Sequence, residues 1–506
     1  MPDIVLTTFN ARYAHASFGL RYLHANLGEL RDQAQIIEFD LDDRPMDVAE
    51  VILARNPRIV GLAVYVWNAR QSLELARVLK QLRPDVTLVL GGPEISYETP
   101  QQPIAQLADH IICGEGDRAF PELCRTLLAG RTAPRILLPQ PPDLDGVVMP
   151  YDLYTDADLA HRTVYVESSR GCPFGCEFCL SSLDIPVRRF PLDLFLQQMQ
   201  RLLDRGCQVF KFVDRTFNID ITRATAILDF FFGRYRPGLF LHFEMIPDRL
   251  PQALTESLAR FPPGAIQLEI GIQTFNQAVA QRIGRRQDNA KAEATIRLLR
   301  EQTHAYIHAD LVAGLPGESL TSFAAGFDRL LALHPHEIQL GILKRLHGAP
   351  IARHTQEWGM LYSPDAPYEI LQNGLINFAM MQRIRRLSRY WDLLANSGHF
   401  PQSLPLVWGD ASPFAGMMAL SDWLFSKTHQ THRIALPRLF ALLFEYLTTQ
   451  LSLSPAAAGA PLASDYLRPG RRDLPEPLKP FAVNALTASA SEDQTALPRQ
   501  RRHMGA

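Results

Sequence analysis

Three cysteines, Cys172, Cys176 and Cys179, fall within eight residues on the run Gly171-Cys172-Pro173-Phe174-Gly175-Cys176-Glu177-Phe178-Cys179. Three residues separate the first pair and two the second, on a loop rich in Gly and Pro. Thiolates this close can grip three corners of a cubane iron–sulfur cluster. A closed four-iron cluster takes four cysteines, so a three-cysteine grip leaves one iron open to a substrate or cofactor. The spacing therefore points to a reactive cluster. A zinc knuckle would need a fourth ligand to close its tetrahedron, and the nearest candidates, His161 and Cys207, are not at knuckle spacing. Disulfide pairing would leave one of the three thiols over.

The other cysteines, Cys113, Cys124 and Cys207, are scattered in apolar contexts and read as core residues. Free thiols of this kind suit a reducing compartment. The start Met1-Pro2-Asp3-Ile4-Val5-Leu6 has no basic segment of secretory type, and the expected location is the cytoplasm. At 506 residues the chain has room for two to four domains at roughly 100–200 residues each. Its 47% apolar and 21% charged residues are those of domains that bury real cores. A formal charge of −2 gives no footprint for nucleic acid. No apolar run reaches the roughly 18 residues of a membrane span.

From residue 3 to about 130, short β-rich runs (4–8, 35–39, 59–66, 87–90 and 110–113) alternate with amphipathic stretches such as 69–82. Such alternation implies a parallel sheet with right-handed crossovers, which binds ligands at the carboxyl ends of its strands. Gly91-Gly92-Pro93 and Gly114-Glu115-Gly116 follow two of these strands, where a backbone without Cβ can approach a bulky ligand. There is no G-x-G-x-x-G or Walker pattern. Residues 163 to about 345 give six further strand–helix units, with strands at 163–167, 209–213, 239–245, 266–272, 305–311 and 338–343. The intervening helices include 192–203, 221–232 and 290–301. In barrels built this way chemistry gathers at the C-terminal strand ends. There lie the cysteine loop, Asp214 to Asn218, Glu244, the run Glu269-Ile270-Gly271-Ile272-Gln273, Asp310 with Gly314-Leu315-Pro316-Gly317-Glu318, and Lys344-Arg345.

The C-x3-C-x2-C run with Phe178 before its last cysteine resembles the radical S-adenosylmethionine (SAM) enzymes. The upstream segments 89–93 and 113–117 resemble the cobalamin-binding domain of the B12-dependent members of that family. The resemblance covers roughly residues 1–450. It implies an α/β chain with a Rossmann-like cobalamin-binding-type domain (1–135), a linker (136–162), a partial (β/α)6 barrel (163–350) and a helical C-terminal domain (351–451). It implies a [4Fe–4S] cluster on Cys172, Cys176 and Cys179 whose open iron chelates SAM. One electron from an external donor such as a flavodoxin or ferredoxin then yields methionine and a 5′-deoxyadenosyl radical. By position it implies SAM contacts from Phe178, Asp214, Glu269, Gln273, Gly314 and Pro316, and less directly Asn218. Cobalamin contacts would come from His15, Gly91, Gly92 and Glu115. The family's Asp-x-His-x-x-Gly loop is missing: Asn10 to Gly19 stands in its place, with His15 either a cobalt ligand, a corrin contact or a helix-start histidine. Arg170, Arg188 and Arg189 flank the cysteine loop, positioned to tune its potential or simply solvated.

The proline-rich stretch 131–162 reads as a wrapping linker. Residues beyond 350 read as helical and aromatic-rich, and the Ala/Pro/Ser-rich segment 452–506 reads as a disordered tail. The leading functional expectation is methyl transfer, or another radical rearrangement, on a small molecule, with no nucleic-acid or membrane partner. The alternatives are a radical SAM enzyme without functional cobalamin and a non-catalytic iron–sulfur redox protein. RNA methylthiolation would need a second cysteine trio, which Cys113, Cys124 and Cys207 do not form. No residue is singled out as directly catalytic.

Overall fold

Seven consecutive residues, Ile4–Asn10, open the chain as β1, buried along its whole length. They start an alternation of strand and helix: α1 (Phe18–Ala25), β2 (Ala34–Asp40), α2 (Pro45–Leu53), β3 (Ile59–Ala63), α3 (Ala69–Leu82), β4 (Thr87–Gly91), β5 (His110–Ile112), α4 (Ala119–Leu128) and β6 (Ile136–Leu137). The six strands pair in parallel in the order β2-β1-β3-β4-β5-β6. Apolar residues on both faces of β1 and β3 pack into two cores, one containing Val5, Phe9, Val60 and Leu75, the other Ile4, Leu20, Ile59 and Phe120. That is the signature of a sheet covered by helices on both sides. The strand order reverses between β1 and β3, and sheets of this kind bind ligands above such a point.

The structure is a computed structural model that describes residues 1–184, 186–471, 473–484 and 498–503. The chain falls into two compact units. One comprises Met1–Arg215, Lys344–Ala352 and Ser363–Glu369, the other Thr216–Leu343, Arg353–Tyr362 and Ile370–Ala506. The first boundary thus lies inside the segment expected to be one barrel. Side chains of the proline-rich stretch tie it to residues 165–167. Tyr151 and Tyr154 are fully buried, and each hydroxyl exchanges hydrogen bonds with the backbone of Glu167 or Tyr165. The expected linker is therefore ordered, with β6 at its start and α5 (Asp156–His161) near its end. The first unit continues through β7 (Val164–Val166), β8 (Ser169–Arg170), β9 (Arg188–Arg189), α6 (Leu192–Asp204) and β10 (Val209–Phe212). In it β7 pairs in parallel with β10, and β8 in antiparallel with β9.

The second unit carries α7 (Ile221–Phe232), β11 (Phe240–Met245), α8 (Gln252–Ala259), β12 (Ile266–Gln273), α9 (Gln277–Arg282), α10 (Asn289–Gln302), β13 (Tyr306–Ala313), α11 (Leu320–Leu331) and β14 (Glu337–Ile342). Its four strands pair in parallel in sequence order. The hairpin β15 (Leu361–Tyr362) and β16 (Ile370–Gln372) follows. Then come α12 (Phe378–Trp391), α13 (Pro413–Thr428), α14 (Leu436–Thr449), α15 (Pro455–Leu467) and the short α16 (Pro498–His503). Helix α15 corrects the expectation of a disordered tail. Ser454 caps it, Pro455 starts it, and Ala458, Leu462, Ala463 and Tyr466 are buried. Its small residues are a packing surface: Gly459 lies against the Phe481 ring so closely that no Cβ would fit. Residues 485–497 and 504–506 of that segment lie outside the described residues.

Candidate functional site: the cysteine loop and its surroundings

Cys172, Cys176 and Cys179 follow β8 on one loop of the first unit, with Cys176 buried and the other two half-buried. The Cys172 N–H donates to the Asp184 carbonyl at 3.0 Å, and the Cys179 N–H to the Cys176 carbonyl at 3.0 Å. Gly171 has φ +92°, and a Cβ there would sit 2.6 Å from the Asp184 carbonyl oxygen. Only glycine lets the loop close on itself at that point. The Ile351 N–H donates to the Glu177 carbonyl at 2.9 Å, tying the middle of the loop to the segment Lys344–Ala352. Burial pushes the Cys172 thiol above its ordinary value, and the Cys179 and Cys176 thiols add to the shift. A buried thiol with two more cysteines beside it on one loop is a donor set which cationic iron would satisfy. In a cubane each thiolate holds a different iron, so the loop need not present a single-ion cage. Among the described residues no three His, Cys, Asp or Glu side chains form one. Phe178 is half-buried between two of the cysteines.

Asp214, placed by sequence among the SAM contacts, has different work in the structure. It is 2% exposed and accepts from the Ser168 N–H (2.9 Å), the Ser168 hydroxyl (2.7 Å) and the Ser169 hydroxyl (2.6 Å). It anchors the strand end that leads into the cysteine loop. Asn218 is likewise buried, accepting from the Ile246 N–H at 2.7 Å and donating to the Ile246 carbonyl at 3.0 Å. A short polar residue at a strand end serves a backbone turn as well as a ligand, and spacing alone does not separate the two.

The same unit holds the residues assigned to cobalamin. Gly91 ends β4, and Gly92 follows at φ +103°, where a Cβ would meet the Val64 carbonyl oxygen at 2.5 Å. Gly114, two residues past the end of β5, has φ +109° with nothing within 4 Å of a Cβ position. An open backbone shelf there fits the approach of a large flat ligand. His15 lies on the loop after β1, beside the reversal of strand order. Its Nδ1 is 2.5 Å from the Tyr165 hydroxyl, and burial lowers its pKa, with Lys211 and Arg12 reinforcing the shift. The imidazole is thus neutral at pH 7, with Nε2 the nitrogen left for another partner. Glu115 is ion-paired: its carboxylate is taken up by Arg170 at 2.8 Å and by Arg188. Burial pushes its pKa up, but Arg188 and Arg170 together hold it below the usual carboxylate value.

Sequence reasoning missed the loop after β3. There the Tyr65 and Trp67 rings stack at 4.4 Å, with Trp67 46% exposed, and the buried Asn68 donates to the Thr8 hydroxyl and the Phe9 carbonyl. The run Tyr65-Val66-Trp67-Asn68 at a strand end was the available signal. It also missed a strap. Arg345 pairs with Glu98 at 3.0 Å, while His347 at 3.2 Å and the Tyr368 hydroxyl at 2.6 Å both meet the buried Glu94 carboxylate. Glu98 and Tyr368 are held at φ +51° and +57°, a left-handed backbone that non-glycine residues adopt at a cost.

In the second unit the polar residues of β12 and β13 share one face. Glu269 lies beside Glu244 and His308, and Gly271 beside Asp310. Glu269 Oε2 is 3.0 Å from His242 Nε2, with the Glu269 side chain 27% exposed. Gln273 sits at φ +69° where the register with β13 shifts, and its amide folds back over Gly271. Gly314 is buried at φ +94°, and a Cβ there would strike Ile370 at 2.6 Å, so the glycine serves packing against β16. Pro316 is buried, and its carbonyl accepts from Arg282 at 3.0 Å. Glu318 accepts from the Thr274 hydroxyl (2.6 Å) and the Ser322 hydroxyl (3.2 Å), and burial pushes its carboxyl up to about 7.

Family models match this chain in three places: the B12 binding domain over residues 4–124, the radical SAM superfamily over 166–329, and a protein family of unknown function, DUF4080, over 356–502. The chain thus combines a B12-binding domain with a radical SAM domain, and the DUF4080 segment follows them. An uncharacterized methyltransferase of Pyrococcus horikoshii is 30% identical over 205 residues, 36% of this chain and 44% of that protein. The cobalamin-dependent radical SAM methyltransferase TokK of Streptomyces tokunonensis is 26% identical over 332 residues, 57% of this chain and 47% of that protein. The chain thus spans less than half the length of these curated relatives. The cobalamin-dependent SAM radical enzyme OxsB, solved with aqua-cobalamin and SAM, shares the fold. Its TM-score is 0.61 at 13% identity, over 96% of this chain and 83% of that one. Among the described residues no helix is long and apolar enough to cross a membrane.

Proposed function

We propose that this chain is an enzyme that binds SAM at a [4Fe–4S] cluster held by Cys172, Cys176 and Cys179, binds cobalamin over the carboxyl ends of β1 to β5, and transfers a methyl group to a small molecule. The observation that carries the reading is the three-thiol loop, in the same compact unit as the open shelf at Gly114. The cofactors supply electron transfer, SAM cleavage and methyl delivery; the protein binds, orients and shields them. Asp214 holds the strand end that launches the cysteine loop, and Phe178 covers the loop beside Cys179. Glu269, steadied by His242, and Gln273 offer carboxylate and amide groups to the ribose and methionine parts of SAM. The buried turn at Gly314 and Pro316 borders the adenine. Gly91 and Gly92 let the corrin approach, and His15 is the candidate for a cobalt or corrin contact. A one-electron donor of flavodoxin or ferredoxin type and a reducing, cytoplasmic setting complete the reading.

The test is anaerobic incubation of the reconstituted protein with dithionite and SAM. The parent should form 5′-deoxyadenosine, and label from methyl-labelled SAM should move into a small-molecule fraction of cell extract. No 5′-deoxyadenosine from a protein with a full cluster would refute the reading. A second reading, a radical SAM enzyme without cobalamin, draws on one observation: Glu115, expected on the corrin, is engaged by two arginines.

A further inference from the structure

Arg170 is the most heavily engaged side chain around the cysteine loop, two residues ahead of Cys172. Its Nε donates to Glu167 at 2.9 Å, and Nη1 to Glu115 at 2.8 Å and Asp117 at 2.9 Å. Nη2 donates to the second Asp117 oxygen at 3.2 Å. The guanidinium lies over the Tyr22 ring at 4.5 Å and the Phe190 ring at 5.6 Å, with the side chain only 12% exposed. Arg188 extends the network from Glu115 to Asp184 at 3.1 Å, and the Asp184 carbonyl in turn accepts the Cys172 N–H. An unbroken chain of contacts therefore runs from Glu115 and Asp117, on the loop that carries the Gly114 shelf, to the first cysteine.

Buried charges are stable only while every partner is in place, and removing one partner strands the rest. The bidentate fork to Asp117 is rigid and directional, so Arg170 cannot follow one loop while releasing the other. Displacing either loop leaves buried charges unpaired. The network is satisfied when both loops are seated. We infer that Arg170, through Asp117 and Glu115, is a positioning residue that couples the cluster loop to the cobalamin loop, so that cluster assembly and corrin binding strengthen one another. The inference rests on the proposed function, because it presumes that both cofactors bind. Coupling of this kind is reciprocal by thermodynamic necessity and typically amounts to about 5- to 150-fold in affinity.

The experiment is a titration of the full chain with hydroxocobalamin, followed by absorbance, with and without the reconstituted cluster. In the parent the cluster should tighten corrin binding at least about fivefold. In Arg170→Lys, which keeps the charge and loses the fork, and in Asp117→Asn, the ratio should fall toward one. A parent ratio of one, or a parent-like ratio in both variants, overturns the inference. Should neither variant fold, the unaltered protein still decides it. Assembling the cluster in corrin-free protein should slow amide exchange in peptides covering residues 114–117, and unchanged exchange there overturns the inference. If no form binds corrin, the B12 reading itself fails and the inference with it, an outcome distinct from binding without coupling.

Discussion

Strands β1 and β3 of the N-terminal sheet and strands β12 and β13 of the second unit obey opposite rules. Strands β1 and β3 are buried at every position, with apolar side chains on both faces. Strand β12 alternates strictly between buried and half-buried, and its half-buried positions are Gln267, Glu269, Gly271 and Gln273. Strand β13 does the same with His308, Asp310 and Val312. A sheet with two apolar faces has nowhere to hold a polar ligand except its edges and end loops. A strand with one polar face can contribute chemistry along its length. The contrast separates residues that keep the fold from residues proposed to serve the site.

The cysteines give the largest effect on the side of the site. Cys176→Ala should reduce cluster iron and SAM cleavage to background, measured by iron analysis and 5′-deoxyadenosine formation, while the N-terminal sheet is untouched. On the side of the fold, Leu62→Ala opens a cavity in β3 and should cost about 2–5 kcal/mol of stability, read as a lowered Tm with SAM affinity preserved in the folded fraction. Glu269→Gln should invert that pattern. It replaces a charged partner of His242 on a half-exposed face, so SAM should bind about tenfold more weakly, roughly 1.4 kcal/mol, with Tm near the parent's. Equal effects of Leu62→Ala and Glu269→Gln on both readouts would break the comparison. The smallest effect is a slope with pH. Because burial raises the Glu318 carboxyl to about 7 from an ordinary 4.5, the folded state favours its protonated form. That contribution is full below about pH 4.5 and is lost as pH rises through 7. Glu318→Gln should therefore flatten the decline in Tm between pH 5 and pH 8, and an unchanged slope would remove Glu318 as its source.

Much of this was legible in the chain itself. The expected strands of both sheets coincide with the observed ones to within a few residues, because apolar runs bounded by Gly, Pro and Asp leave little choice. Helix α3 has its expected bounds, since Leu75, Ala76 and Leu79 fall on one face. The cysteine loop was visible because its meaning lies in spacing. What spacing could not reveal was which polar residues at strand ends face ligand and which hold backbone. Asp214 and Glu115 carry the same type of group as Glu269, and each is occupied by partners far away in sequence, as Glu269 is by His242. Arg170 and Arg188 read as either tuning the cluster's potential or solvated, because nothing local shows that Asp117 and Glu115 pair with them. The segment after residue 452 misled for another reason: Ala, Ser and Pro describe a disordered tail as well as a capped, closely packed helix. Only the packing of Gly459 and Tyr466 distinguishes them.

The central claim is that this chain holds two cofactors, a four-iron cluster and cobalamin. The most direct measurement is the absorbance of protein purified without oxygen, reconstituted with iron, sulfide and hydroxocobalamin, and desalted. The account predicts corrin bands at about one equivalent per chain together with the broad absorption of a four-iron cluster. A cluster without retained corrin would contradict it, leaving the N-terminal sheet as a scaffold and methyl transfer without its main support.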